Sequence, residues 1–530
     1  MCKRGASDFV GSFRYGTSAP QTATRGNEVF GVIKDAEVMR EQEVAGWFGE
    51  RADQTIETSC ARVFLVGEAA WKIKRPVNFG FLDYSTLELR RWALERELSF
   101  NRAAAPDIYR AVRRLTRAPD GGIEIDGPGE TVEFVLEMRR FDEQGVLAAQ
   151  PWAIDDALED SLGRTVARFH AVAPPRPQGG GVNALSYTIR SNANLLRGLA
   201  PRLGAQTVER LIAETDRALD ALGPLLDRRV TDGFARHCHG DLHLGNILVE
   251  DAVPILFDCI EFNDTLSDID IQYDLAFLLM DLDFRRRRDA AGRVLNAYLD
   301  EAARNFGEGL WTGLAALPLM LSVRAGVRTH VQAYSGDDEA ARAYLATAIE
   351  HLAPRPVSLV ATGGLSGSGK STFARVCAPG LGSAPGAVVL RTDEIRKRLV
   401  GVPSLQRLPA EAYTPQMSAR VYDQLFADAA LTLAAGRSVV LDAVFLKPEE
   451  RARAEALAQS AGVAFQGVWL EAPPEVLRSR VAARVNDASD ADVAVLETQL
   501  SRSTGEIDWR RVDTVSAFED EARALAESMG

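Results

Sequence analysis

Residues 364–372 read GLSGSGKST. Gly364, four residues, Gly369, Lys370 and Ser371 satisfy the phosphate-binding loop pattern, whose meaning depends on its flanks. Here an apolar, β-prone run (Val357 to Ala361) precedes it and FARVCA follows, so the spacing predicts strand, glycine loop and helix in succession. In such a loop the backbone from Gly364 through Ser366, Gly367, Ser368 and Gly369 turns its N–H groups onto a β-phosphate at a helix N-terminus. Lys370 adds a point charge at the β- and γ-phosphates, Ser371 offers its hydroxyl to Mg²⁺, and Thr372 faces the α-phosphate. A Gly/Ser-rich linker that happened to contain a lysine would have no reason to sit between a strand and an amphipathic helix.

The residues after the loop carry the next constraints. AVVLRTDEIRKRL (387–399) predicts a second strand ending in Asp393, with Arg396 three residues on in the following helix. A carboxylate there can accept the proton of an acceptor hydroxyl and the arginine can hold the acceptor. The same pair also fits a helix-capping Asp with an exposed Arg. GRSVVLDAVF (436–445) predicts a third strand ending in Asp442, either a metal-polarising carboxylate or a plain turn residue. GVWLEAPPEVLRSRVAARV (467–485) predicts a fourth strand, a proline turn and a helix bearing Arg480 and Arg484 on one face. Those arginines suit a lid over ATP phosphates, or are ordinary exposed residues. From about 358 to 530 the chain resembles the P-loop kinases that include polynucleotide, zeta-toxin-type, gluconate and shikimate kinases. The resemblance implies ATP-dependent phosphorylation of a hydroxyl with Asp393 as base, and it names no acceptor.

A second signature lies about 120 residues earlier: HGDLHLGNIL at 239–248, followed by LFDCIEFND at 256–264. It resembles the aminoglycoside phosphotransferase branch of the protein-kinase-like fold. On that resemblance Asp241 orients and deprotonates the acceptor hydroxyl, while Asn246 and Asp258 hold Mg²⁺. The stretch 268–282 predicts an amphipathic helix whose Asp274 braces the loop. The family also needs an ATP-clamping lysine on a strand and a glutamate on the next helix. ARVFLVGEAAWKIKRP (61–76) predicts a hairpin turning at Gly67 and Glu68, with Lys72 and Lys74 on one face. Lys72 is preferred, because Ala70 then takes the small adenine-facing position. On the helix predicted over 86–105, Glu97 is preferred to Glu95 by its distance to Pro106. Solvated charges are the competing reading for all of these. The pattern departs from kinases in lacking a G-x-G-x-x-G loop and in replacing D-F-G by Asp258-Cys259-Ile260. His239 reads as a structural hydrogen-bond partner, and His243 is open between a structural role and contact with metal or acceptor.

These readings predict α/β and α+β architecture: a bilobal kinase-like domain, then a P-loop domain with a parallel sheet. The expected division is a disordered leader over 1–36, an N-lobe over 37–142, a helical C-lobe over 143–350, a linker over 351–357 and a P-loop kinase domain over 358–530. Met39 is an alternative start. No apolar signal segment opens the chain and no run of 18 uncharged apolar residues occurs, so a cytoplasmic protein is expected. Five scattered cysteines without a C-x-x-C pair imply neither zinc nor disulfides. A net charge of −13 argues against nucleic-acid or anionic-membrane binding. The short basic run Arg285 to Arg288 reads as a solvated turn or an interdomain contact. The whole chain resembles a bacterial fusion of the two kinase types. This implies a bifunctional ATP- and Mg²⁺-dependent phosphotransferase acting on small-molecule hydroxyls, with sugars and aminosugars as candidate acceptors. Two alternatives stand beside it: one active module governed by a nucleotide-sensing partner module, or a nucleotide or nucleic-acid-end kinase in the P-loop half.

Overall fold

The computed structural model describes residues 35–79, 82–484 and 488–530. Helix α1 (Asp35–Gly49) comes first, so the expected leader lies outside the described residues except for Asp35 and Ala36, which already belong to this helix. A six-stranded antiparallel sheet follows, ordered β1-β2-β3-β6-β4-β5. Its strands are β1 (Gln54–Glu57), β2 (Ala61–Val66), β3 (Ala69–Lys74), β4 (Tyr109–Arg117), β5 (Ile123–Ile125) and β6 (Thr131–Arg139). The β2–β3 hairpin turns at Gly67, whose φ of +55° is one that side chains rarely adopt. Helix α2 (Leu87–Ala104) crosses the sheet, started by the Thr86 hydroxyl accepting from the Leu89 N–H.

The second lobe is mainly helical. Its long helices are α3 (Asp156–Val172), α4 (Gly181–Leu203) and α5 (Ala205–Thr231). The small strands β7 (Ala235–His237), β8 (Ile247–Glu250), β9 (Val253–Leu256) and β10 (Asp268–Asp270), with the short α6 (Asp264–Ser267), carry the HGDLHLGNIL segment. After them run α7 (Ile271–Phe284), α8 (Arg288–Ala302), α9 (Gly309–Thr312), α10 (Leu317–Tyr334) and α11 (Asp338–Leu352). The stretch expected as one amphipathic helix over 268–282 is instead β10 plus α7, and α7 is buried all round from Ile271 to Leu282. Packing by α8 and α10 leaves it no solvent face, which its nearly unbroken apolar run requires. Gly309–Tyr334 is the one stretch among the described residues long and apolar enough to cross a membrane, and 78% of its apolar 18-residue window is buried inside the protein. The run Arg285 to Arg288 is not a solvated turn. Arg285 pairs with Asp281 at 2.9 Å, Arg287 with Glu159 at 2.8 Å and Arg288 with Asp283 at 2.7 Å, stapling the ends of α7 and α8 to the lobe.

Residues 353–357 lead into a five-stranded parallel sheet ordered β12-β13-β11-β14-β15. The strands are β11 (Ser358–Gly363), β12 (Val388–Arg391), β13 (Val439–Asp442), β14 (Ala464–Glu471) and β15 (Arg510–Asp513). The central strand β11 is buried at every position, as a parallel strand covered on both faces must be. Helices α12 (Lys370–Cys377), α13 (Thr392–Val400), α14 (Pro415–Ala434), α15 (Pro448–Ala461), α16 (Pro474–Ala482), α17 (Val493–Leu500) and α18 (Glu519–Met529) flank it. Two expectations are corrected here. Strand β12 ends at Arg391, so Asp393 stands in the first turn of α13, where a carboxylate favours the helix N-terminus. Helix α16 ends at Ala482, so Arg484 does not share a helical face with Arg480.

The halves are joined by more than the linker. One apolar core runs continuously from Val63 in the first sheet through Leu279 and Leu295 to Leu390 of the parallel sheet. Helix α8 lies along β12, the free edge of that sheet. The Val389 N–H donates to Asn296 Oδ1 at 2.7 Å and Asn296 Nδ2 donates to the Ala387 carbonyl at 3.4 Å, so an amide side chain takes the place of a neighbouring strand. Nearby, Arg164 of α3 pairs with Glu394 of α13 at 2.8 Å.

Candidate active sites

The first site is assembled from five separate segments. Lys72 Nζ on β3 lies 2.6 Å from Glu97 Oε1 on α2 and 3.2 Å from Asp258 Oδ1. Period-two alternation puts Lys74 beside it, 2.7 Å from Glu97 Oε2 and 2.5 Å from Glu261, which also accepts from Tyr84 Oη at 2.9 Å. Burial opposes the Glu97 charge, but the two ammonium groups outweigh it and hold the carboxyl down to about 2. Burial likewise opposes the Lys72 charge, and Asp258 and Glu97 raise the ammonium well above its ordinary value. A cleft of about 160 Å³ opens beside this network, walled by Val63, Leu65, Ala70, Ile108 and Met138, with Lys72, Asp241 and Asp258 also facing it.

The loop after β7 supplies Asp241 and Asn246. Asn246 Nδ2 donates to the Asp241 carbonyl at 2.9 Å and to its Oδ2 at 3.1 Å, which leaves the amide oxygen available. The loop is fixed from below by Asp274, whose carboxylate accepts the N–H groups of His239 (3.0 Å) and Gly240 (2.8 Å). Asp281 accepts from Leu244 N–H at 3.1 Å, and Arg324 donates to the Gly240 carbonyl at 3.0 Å. His239 is a structural partner, its Nε2 2.9 Å from the Phe257 carbonyl. His243 caps the turn after Asp241 and brings Nε2 to 3.5 Å from Asp241 Oδ2. Asp258 has φ of +63°, uncommon for a residue with a side chain, and its N–H donates to Tyr109 Oη at 3.1 Å.

The second site is nearly contiguous. Between β11 and α12, Gly364, Gly367 and Gly369 all have positive φ. A Cβ on Gly364 would stand 2.3 Å from the Leu470 carbonyl, and one on Gly367 2.8 Å from that of Leu477, so only glycine lets this loop pass so close to its neighbours. Ser368 Oγ is buried with no hydrogen-bond partner among the described residues, and Ser366 N–H donates to Gln499 at 2.8 Å. Lys370 Nζ donates to the Leu365 carbonyl at 2.8 Å; burial pushes its ammonium down, countered in part by Asp442 and Asp393. Ser371 Oγ lies 2.6 Å from Asp442 Oδ2 at the end of β13, and Thr372 continues α12 behind it. Arg480 donates to the carbonyls of Gly367 (3.4 Å) and Thr514 (2.6 Å), and the charge of Arg484 also acts on Lys370. Arg396 is drawn away toward the turn at 410–413: it donates to the Ala412 carbonyl at 2.8 Å and lies 4.8 Å above the Tyr413 ring.

Sequence reasoning missed several participants. Arg391 reaches Asp442 Oδ2 at 3.3 Å and Ser371 Oγ at 3.4 Å, between the two groups expected to face metal. His170 of α3 bridges Tyr298 Oη of α8 (3.0 Å) to Asp274 (3.1 Å), so α8 is tied to the first loop as well as to β12. Arg391 follows an apolar strand directly and could have been found as a polar residue at a strand end. His170 and Arg324 have no local signal.

Comparison with known proteins places both halves. Residues 133–314 match the phosphotransferase enzyme family (APH), and residues 359–505 match an AAA domain family (AAA_33). "Uncharacterized protein Rv2004c" of Mycobacterium tuberculosis (strain ATCC 25618 / H37Rv) is 32% identical over 486 residues, 87% of this chain and 92% of that protein. The chain belongs to one family with that protein. It joins an APH phosphotransferase domain to a P-loop kinase domain, and two kinase-family domains mark it as a phosphotransferase. Among solved structures, a gluconokinase from Sinorhizobium meliloti 1021 is 26% identical, covering 33% of this chain and 90% of its own, with a TM-score of 0.22. A choline kinase from Cryptosporidium parvum Iowa II is 11% identical, covering 59% of this chain and 95% of its own, with a TM-score of 0.38.

Proposed function

We propose that the protein is a bifunctional, ATP- and Mg²⁺-dependent kinase with two sites, each transferring a γ-phosphoryl group to a hydroxyl of a small molecule. The supporting observation is that each half closes its own polar set. Lys72 joins Glu97 to Asp258 above Asp241 and Asn246, and Ser371 meets Asp442 beneath the glycine loop. The residues fit Mg-ATP on chemical grounds: the Asn246 amide oxygen and the Asp258 carboxylate in one half, and the Ser371 hydroxyl and the Asp442 carboxylate in the other, are the hard oxygen donors Mg²⁺ takes. The buried, unpaired Ser368 hydroxyl and the glycine cradle fit a phosphate. Bound Mg-ATP supplies the phosphoryl group and neutralises its developing charge.

The chain's own residues do the rest. In the first site Glu97 orients Lys72, and Asp241, aimed by Asn246, holds the acceptor hydroxyl and removes its proton. In the second, Lys370, Arg480 and Arg484 set positive charge around the loop, Asp393 serves as base and Arg396 positions the acceptor from the α13 face. The domain assignment follows the same reading, with two bounds moved because Asp35 and Ala36 belong to α1 and His351 and Leu352 to α11: N-lobe 35–142, C-lobe 143–352, linker 353–357 and P-loop kinase 358–530. The acceptors are small metabolites and the setting is the cytoplasm.

The test is phosphoryl transfer from labelled ATP into a bacterial metabolite extract by the wild type, Asp241→Ala and Lys370→Ala. Each substitution removes one set of labelled products by about 10²–10⁴-fold and spares the other. Loss of every product with one substitution alone refutes two independent sites.

A further inference from the structure

Helix α13 carries Asp393 and Arg396, the base and the acceptor-holding group of the second site on the reading above, so whatever fixes this helix fixes the acceptor side. Two of its other charges are answered within the P-loop half: Lys397 pairs with Asp490 at 2.9 Å and Arg398 with Asp428 at 2.5 Å. The third is answered from the other half. Glu394 accepts from Arg164 Nη2 of α3 at 2.8 Å, and Arg164 is itself aimed by Asp160 at 2.9 Å and Glu301 at 3.5 Å. Two more groups of the kinase-like half bear on the same element. Arg304 Nη1 donates to the Val402 carbonyl, just past the helix end, at 2.6 Å, and the Arg398 guanidinium lies 5.9 Å from the Trp311 ring of α9.

The Glu394 carboxylate is only 3% exposed. Its Oε1 takes both the Arg164 guanidinium and the Ser404 hydroxyl, the latter at 2.5 Å, and its Oε2 has no hydrogen-bond partner among the described residues. Asp300 stands beside it: burial, and then the charge of Glu394, raise the Asp300 carboxyl well above its ordinary value, with Arg164 opposing. Without the guanidinium, two carboxyl groups would face each other with a single hydroxyl to satisfy them. A buried carboxylate stripped of its cation is an uncompensated charge, and it relaxes by turning toward water. Asp393, about 100° away around the same first turn, would turn with it.

We propose that Arg164 is a positioning residue of the second site: α3 of the kinase-like half fixes the first turn of α13 through Glu394 and so sets where Asp393 stands. The P-loop half then borrows its acceptor-side geometry from its neighbour, whereas its glycine loop is shaped by its own backbone. This rests on the reading of Asp393 as base.

The experiment uses the full chain and follows phosphoryl transfer from labelled ATP into a bacterial metabolite extract. Products lost in Lys370→Ala define the second-site set, and those lost in Asp241→Ala the first-site set. At saturating ATP, Arg164→Gln lowers the rate for the second-site set by about 10- to 100-fold, on the order of what a misplacement of about 1 Å costs. KM for ATP keeps its wild-type value, and the first-site set is unchanged, which also reports a folded variant. Arg164→Lys recovers most of the rate. So does joining Arg164→Gln to Glu394→Gln, because removing both charges leaves neither buried alone. The proposal is overturned if Arg164→Gln makes the second-site set at the wild-type rate, if the double variant is no faster than the single one, or if the loss lies in KM for ATP. Loss of both sets together, in the single and the double variant alike, marks a purely structural pair and overturns it too. If Lys370→Ala removes no product, the two-site reading itself falls and takes the proposal with it.

Discussion

The two candidate sites are built on opposite plans. In the P-loop half, most of the site is one uninterrupted stretch, 364–372, and Asp393, Asp442 and the arginines arrive from elsewhere. In the kinase-like half, Lys72, Glu97, Asp241 and Asp258 come from four segments and meet only because the lobes close on one another. The contiguous site is specified by backbone conformation, and the distributed one by ion pairs across packed elements. Perturbing the backbone should therefore ruin the second site and spare the first, while perturbing buried charge should unfold the first lobe before it changes the second.

The largest expected effect is on the glycine loop. Gly364→Ala forces a Cβ against the Leu470 carbonyl at a φ of +137°, so nucleotide binding in the P-loop half falls by about 100-fold or more, following strain of a few kcal/mol. Titration with a fluorescent ATP analogue should then show one remaining site of unchanged affinity. Next in size, Lys74→Met leaves Glu261 buried without its ammonium partner and destabilises the chain by about 3–5 kcal/mol in urea unfolding. Lys72→Met should instead leave stability within about 1 kcal/mol, because Lys74 still holds Glu97, while removing turnover at the first site. Equal destabilisation by both would erase the distinction between clamp and staple.

A pH effect comes third. His351, at the end of α11, is held down to about 4 by burial, against an ordinary value of 6.5. The unfolded chain binds this proton first as pH falls, so stability is lost between pH 6.5 and 4 by about 3 kcal/mol at most. His351→Phe should flatten that segment of the stability profile measured by denaturant melts. The smallest effect is at the sheet edge: Asn296→Ala removes two hydrogen bonds to β12 and should cost about 1–3 kcal/mol, read as a lower melting midpoint with both sites still able to bind nucleotide.

The same contrast explains what was legible in the sequence. The loop pattern, its flanking strand and helix, and Asp442 at a strand end could be read locally, because glycine placement and apolar runs are local signals. The choice of Lys72 and Glu97 rested on position, and the two are in contact. That Lys74 shares Glu97 could not be read, since it depends on how α2 crosses the sheet. Asp393 was displaced from its expected strand end because the helix begins immediately after Arg391, and α7 was read as half-exposed because the local pattern does not show that α8 and α10 fold back over it. His170 beneath the first loop depends on α3 and α8, which carry no motif, whereas Arg391, beside Ser371 and Asp442, marks the end of β12.

Helix α8 has a further consequence. Its Asn296 completes the rim of the parallel sheet while its Tyr298, through His170 and Asp274, steadies the loop that bears Asp241. The covalent joint at 353–357 is therefore not the seam along which the molecule divides. A fragment beginning at Ser358 would leave Val389 and Ala387 with bare backbone groups and Glu394 without its guanidinium, an open template for self-association. Recombination that exchanged one half for a foreign counterpart would have to transplant this helix with the portion that leans on it.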